Sequence, residues 1–125
     1  MDITERFLNY TKFDTQSSEE SDSVPSTPKQ LVFAEYLKKE LEDEGLSNVE
    51  MDEKGYIYAT LKANTKDDIP TIGFISHYDT SPDCSGADIR PSIVRNYDGS
   101  VILLSEGIIS SPKRFPELLK HVGED

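Results

Sequence analysis

The chain has 125 residues, the size of one modest domain, and its hydrophobic fraction of 35% suffices for a single small core. Acidic residues outnumber basic ones 24 to 13, and the net charge of −11 repels a phosphate backbone, which argues against nucleic acid as a partner and reads as solubility. One cysteine, Cys84, leaves no internal disulfide; no apolar run reaches the ~18 residues that span a bilayer, and Met1 to Arg6 has no signal-peptide pattern, so a soluble cytoplasmic protein without a membrane role is expected.

Ile3, Phe7 and Tyr10, with Leu8 beside them, predict a short amphipathic helix over residues 2 to about 12, its apolar side inward. The polar stretch from Asp14 to Ser23 reads as a loop within one domain. Next, Pro25-Ser26-Thr27-Pro28-Lys29-Gln30 carries helix-start chemistry, with Thr27 as N-cap, Pro28 in the first turn and Gln30 to complete a capping box. Leu31, Ala34, Leu37 and Leu41, flanked by Phe33, then predict a helix over 28–44 that ends at Gly45. Its last turns, Glu40-Leu41-Glu42-Asp43-Glu44, place acid where the helix dipole disfavours it.

Val49 and Met51 alternate with polar neighbours, as do Ile57, Ala59 and Leu61, and Asp52-Glu53-Lys54-Gly55 predicts the hairpin turn between them. After a polar connection over residues 64–70, Thr71-Ile72-Gly73-Phe74-Ile75 is apolar without alternation, the pattern of a strand buried on both faces. Further on, Ile93-Val94 and Val101 to Leu104 predict two short strands around the turn Tyr97-Asp98-Gly99-Ser100. Pro116 opens a last helix with Leu118, Leu119 and Val122 inward and Gly123 past its end. No internal repeat is visible.

The chemistry concentrates in Ser76-His77-Tyr78-Asp79-Thr80-Ser81-Pro82-Asp83-Cys84-Ser85-Gly86, just past the expected buried strand, where open α/β sheets place their ligand sites. Residues i and i+2 of an extended segment point to one side, so His77 and Asp79 can share a cavity. A neutral imidazole binds zinc through one nitrogen when the other is held by an acceptor, and a carboxylate two residues on can be that acceptor. His77 is then the metal ligand and Asp79 the group that orients it. Spacing alone leaves bland readings open: His77 as a solvent-facing hydrogen-bonded residue, and Asp79 as a cap of the Thr80-Ser81-Pro82 turn. Without a CxxC pattern, Cys84 reads as a small buried side chain. Asp88 has no evident partner in the sequence, and His121 reads as an exposed helix residue without a catalytic role.

The run from Phe74 to Gly86 resembles the first metal motif of the peptidase T family, aminotripeptidases among the two-zinc metallopeptidases related to carboxypeptidase G and the succinyl-diaminopimelate desuccinylases. Glu5-Arg6-Phe7-Leu8-Asn9-Tyr10, Asp14-Thr15-Gln16-Ser17, Pro25-Ser26-Thr27, Asp68-Ile69-Pro70, Ser111-Pro112 and Phe115-Pro116 extend the resemblance in order along the chain. His-x-Asp is common to many relatives; the Thr80-to-Gly86 continuation is far more specific. The resemblance implies that His77 binds one zinc and that Asp79 is the catalytic carboxylate beside it. Tyr78 stands where valine is expected, on the opposite side of the extended segment.

The same resemblance implies an α/β fold, with residues 1–125 as the incomplete N-terminal part of a zinc-exopeptidase-like catalytic domain, a mixed sheet with flanking helices. It also implies two zinc ions per complete site and tripeptide substrates with a free N-terminus. The bridging aspartate, the general-base glutamate and the remaining ligands are expected in a Thr-Asp-Gly stretch and a Gly-Ala-Asp-Asp stretch beyond Asp125. Zinc takes about four ligands, so the isolated chain is expected to bind it weakly, to be inactive, and to self-associate through an uncovered sheet edge or apolar face. The alternative is a stand-alone, non-catalytic α/β domain that binds a peptide or protein partner.

Overall fold

A computed structural model of the chain describes residues 2–105 and 107–125. They divide into two compact units, Met1–Arg90 and Pro91–Asp125.

The first unit opens with helix α1 (Ile3–Tyr10). Asp2 caps it: its carboxylate accepts from the Glu5 amide at 2.8 Å, and Glu5 Oε2 accepts from the Asp2 amide at 3.3 Å. This capping box satisfies two otherwise orphaned donors and contributes about 1 kcal/mol. Helix α2 (Lys29–Asp43) carries the core of the unit, burying Phe33 and Ala34. Around the Phe33 ring stand Tyr10, Phe13, Tyr36 and Tyr78, with centroids 4.9–6.1 Å away. α1 therefore docks through Tyr10. The expected inward stripe is corrected on this point: its last member, Tyr10, meets the core, while Ile3 and Phe7 are 84% and 63% exposed.

Two expectations about α2 also change. Pro28 occupies the cap position with no side-chain bond. Thr27 donates instead to the Gln16 carbonyl at 2.8 Å, and Gln30 Nε2 donates to Ser26 Oγ at 3.2 Å. The cap hydroxyl is thus used to tie down the preceding loop. At the other end, the acid-rich turns meet a cation from outside the helix. Arg6 Nε lies 2.9 Å from Glu40, and the same guanidinium pairs with Glu44. Lys38–Glu42 and Lys39–Asp43 add i,i+4 pairs. Arg6 thereby relieves the unfavourable placement of acid at that end of the dipole.

Strands β1 (Ser47–Met51) and β2 (Ile57–Thr60) form an antiparallel hairpin against which α2 packs. The predicted turn is present: the Gly55 amide donates to the Asp52 carbonyl at 3.0 Å, and the Asp52 carboxylate accepts from the Lys54 and Tyr56 amides. Gly55 has φ +85, and a Cβ there would lie 2.6 Å from the Tyr78 hydroxyl, so glycine is required twice over.

The expected buried strand over Thr71–Ile75 is not formed. Residues 71–75 have no regular structure, with Phe74 and Ile75 at 94% and 101% exposure. A doubly buried strand needs a neighbour on each edge, and among the described residues none pairs with this one.

In the second unit, β3 (Ile102–Ser105) pairs antiparallel with β4 (Ile108–Ser110). The partner of the 101–104 segment is therefore the stretch after Gly107, and the expected strand at Ile93–Val94 is absent. Tyr97 is the buried side chain here; its amide donates to the Glu124 carbonyl at 2.8 Å and its carbonyl accepts from the Gly123 amide at 2.7 Å. Pro116–His121 is a 3₁₀ helix. Leu118 is half-buried, but Leu119 and Val122, expected inward, are more than half exposed, because two 3₁₀ turns cover little beyond Gly99.

The α/β class is borne out, with two small antiparallel sheets and one parallel bridge, Gln16↔Thr80. Among the described residues no helix is long and apolar enough to cross a membrane.

Candidate metal-binding site

Unit one brings its N-terminal loop against the segment that follows His77. Thr80 is bridged in parallel to Gln16: the Thr80 amide donates to the Thr15 carbonyl at 3.1 Å, and the Ser17 amide donates to the Thr80 carbonyl at 2.9 Å. The Ser17 hydroxyl reaches the same Thr80 carbonyl at 2.9 Å, and Gln16 Nε2 donates to the Pro82 carbonyl at 2.9 Å. Behind this seam, Asp14 accepts from the Gln16 amide at 3.1 Å and from Lys29 Nζ at 2.8 Å. Those two donors hold the Asp14 carboxyl below its ordinary pKa, Lys29 being the larger cause. Gly86 closes the loop, since a Cβ there would lie 2.8 Å from Asp14 Oδ1.

Two residues before Thr80, Tyr78 points into the core. Its ring meets Phe33 edge-on with centroids 6.0 Å apart, and its hydroxyl donates to the Gly55 carbonyl at 3.0 Å. Burial is the main cause that pushes its pKa up, so the phenol keeps its proton and remains a donor at neutral pH. With Tyr78 turned inward, its neighbours turn outward, as the alternation of an extended chain requires.

His77 and Asp79 therefore meet on the solvent side. His77 Nδ1 lies 3.0 Å from Asp79 Oδ1, with the side chains 84% and 42% exposed. An ionised carboxylate only accepts, so the contact assigns the proton to Nδ1 and leaves the Nε2 lone pair available. Among the described residues Nε2 has no partner. This is the arrangement in which a neutral imidazole ligates a metal while a carboxylate fixes its tautomer.

The other sequence candidates are not drawn in. Cys84 is exposed, which corrects its expected burial; it lies in a loop outside the Phe33 core. Asp83 accepts from the Ser81 hydroxyl at 2.6 Å. His121 sits in the second unit and pairs with Glu124 at 2.7 Å. Among the described residues no three histidine, cysteine or acidic side chains are grouped to hold an ion. The donor set fits one ligand of a metal centre together with its orienting carboxylate.

No protein-family model matches the chain. Individual relatives do. The chain is 54% identical over 124 residues to peptidase T of Caldanaerobacter subterraneus subsp. tengcongensis, covering 98% of this chain and 30% of the relative. It is 52% identical over 125 residues to peptidase T of Clostridium acetobutylicum, covering 98% of this chain and 31% of the relative. This chain is homologous to the N-terminal portion of peptidase T. Peptidase T of Clostridium botulinum is similar to the same degree, 54% over 126 residues. The chain spans about 30% of the length of these peptidase T relatives.

Asp14-Thr15-Gln16-Ser17 reads from the sequence as polar loop and as part of the family resemblance. Its structural work, gripping Thr80 and Pro82, had no signal in composition or periodicity, because the partners lie more than 60 residues apart.

Proposed function

We propose that this chain supplies the first metal ligand of a zinc-dependent aminotripeptidase that releases the N-terminal residue of tripeptides, within a catalytic domain of which residues 1–125 are a part. The observation that carries the proposal is the His77 Nδ1–Asp79 Oδ1 contact of 3.0 Å with Nε2 left available on the solvent side. His77 ligates one of two zinc ions through Nε2. Asp79 holds the imidazole in the Nδ1–H tautomer and strengthens it as a ligand. When bound, such ions supply Lewis-acid polarisation of the peptide carbonyl and ease the deprotonation of water. Zinc takes about four ligands and this reading assigns only His77 here, so residues 1–125 alone are expected to bind zinc weakly and to hydrolyse nothing. The single cysteine, which suits a reducing compartment, and the net charge of −11 support a cytoplasmic protein that does not engage nucleic acid.

The test uses the intact protein that carries this segment. His77→Ala is expected to lower tripeptide hydrolysis by more than about 100-fold and to lower bound zinc, a loss of the size that follows when metal-based stabilisation is removed. Unchanged hydrolysis with unchanged zinc content would end the proposal.

A second reading, a non-catalytic domain that binds a peptide or protein, is favoured by the exposed run Ile72, Phe74 and Ile75. It predicts saturable peptide binding by residues 1–125 that His77→Ala leaves unaltered.

A further inference from the structure

The pair His77–Asp79 is more than half exposed on the histidine side, yet its geometry is held. An exposed side-chain pair on a free loop would sample many rotamers, and one hydrogen bond in water is worth only about 1 kcal/mol. Here the backbone is fixed at two points that bracket Asp79. Between the two site residues, Tyr78 is tied to the Gly55 carbonyl at 3.0 Å and stacked edge-on against Phe33. Immediately beyond them, Thr80 is bridged to Gln16, and Gln16 Nε2 reaches past it to the Pro82 carbonyl at 2.9 Å. Gln16 is itself held by Asp14 at its amide and by Thr27 at its carbonyl. Asp79 thus sits on a short span with both ends fastened.

We infer that Tyr78 and Gln16 are positioning residues for the site: they set the backbone so that the Asp79 carboxylate meets His77 Nδ1 and keeps Nε2 available. The inference deepens the reading of His77 as a zinc ligand and rests on it for its functional meaning. Neither residue touches substrate or metal in this role. Both act through Asp79. Where valine would fill the Tyr78 position with a smaller apolar side chain, the tyrosine adds a hydrogen bond to a turn that only glycine can make.

The tautomer of His77 reads this directly, and nitrogen chemical shifts of the imidazole measure it in the 125-residue chain without any metal. The unmodified chain should show predominantly the Nδ1–H form of the neutral imidazole, and Asp79→Asn should remove that preference. Tyr78→Phe keeps the ring on Phe33 but loses the bond to Gly55, and Gln16→Met keeps the length but loses the bond to Pro82. Each should shift the ratio towards Nε2–H by about fivefold, the equilibrium value of one net hydrogen bond. Each shift should also vanish in the Asp79→Asn background, which a general loss of stability would not produce.

Unchanged tautomer ratios in both variants, with their spectra otherwise folded, would overturn the inference. If either substitution unfolds the chain, amide exchange of the unmodified protein decides: Thr80 and Ser17 must be protected, and exchange at open-chain rates overturns it equally. Failure of the zinc reading is separate, because it would leave these tautomer ratios as stated while His77→Ala left zinc binding intact in the longer protein.

Discussion

The two flanks of His77 have opposite characters. On its C-terminal side, Tyr78 through Pro82 is fastened to Gly55, Thr15, Gln16 and Ser17 by main-chain and side-chain hydrogen bonds. On its N-terminal side, residues 69–75 make no hydrogen bond among the described residues, and Ile72, Phe74 and Ile75 face solvent. The fastened flank uses partners that are polar and lie in the same unit. The apolar flank carries the composition of a doubly buried strand without neighbours to bury it. Both flanks lie in the first unit, yet only the polar one finds its partners among the described residues.

The largest effect expected on the fastened side comes from Asp79. In the intact protein Asp79→Asn should lower zinc affinity by about 10- to 100-fold while leaving the fold intact, as loss of a carboxylate behind a metal-bound histidine does; isothermal titration measures it. An unaltered affinity would mean that the fastening serves the loop and not the ligand.

Gly55→Ala comes next. It places a Cβ at φ +85 and drives it to 2.6 Å from the Tyr78 hydroxyl, so a loss of about 1–2 kcal/mol in denaturant unfolding is expected. The same substitution should disturb His77 resonances 22 residues away in sequence, because Tyr78 is the link between them.

The apolar flank yields a different prediction. If Ile72, Phe74 and Ile75 drive self-association of the 125-residue chain, Phe74→Ser with Ile75→Ser should shift its sedimentation towards monomer without loss of helix content, since neither side chain is buried. An identical distribution for both chains would place any association elsewhere.

The smallest effect is a pH dependence of the seam. Asp14 has a lowered pKa in the folded chain, so its contribution is fully present above the ordinary carboxylate value and is lost as pH falls through the lowered one. Asp14→Asn should flatten that acid limb of the stability curve, by a modest amount because the carboxylate is solvent-accessible.

Much of the fastened region was legible in the sequence where the signal was local. The 3.6 period over Leu31, Ala34, Leu37 and Leu41 located α2, and alternation at Val49 and Met51 with Gly55 located the hairpin. The i,i+2 spacing placed His77 beside Asp79. What failed was non-local. Thr71–Ile75 has strand composition, but a strand exists only with its neighbours. Thr27 has N-cap chemistry, but the Gln16 carbonyl claimed its hydroxyl. Ile3 and Phe7 repeat correctly, yet α1 is held to α2 through Arg6 and Tyr10, and the rest of its apolar stripe is left exposed. Gln16 and Tyr78 gave no sign of their work, because their partners lie 66 and 23 residues away.

Zinc titration of the intact protein, wild type against His77→Ala, tests the central claim most directly. Loss of stoichiometric tight zinc in the variant, with its melting curve in the presence of chelator matching wild type, is the predicted result. Equal stoichiometry and affinity in the two proteins would contradict it.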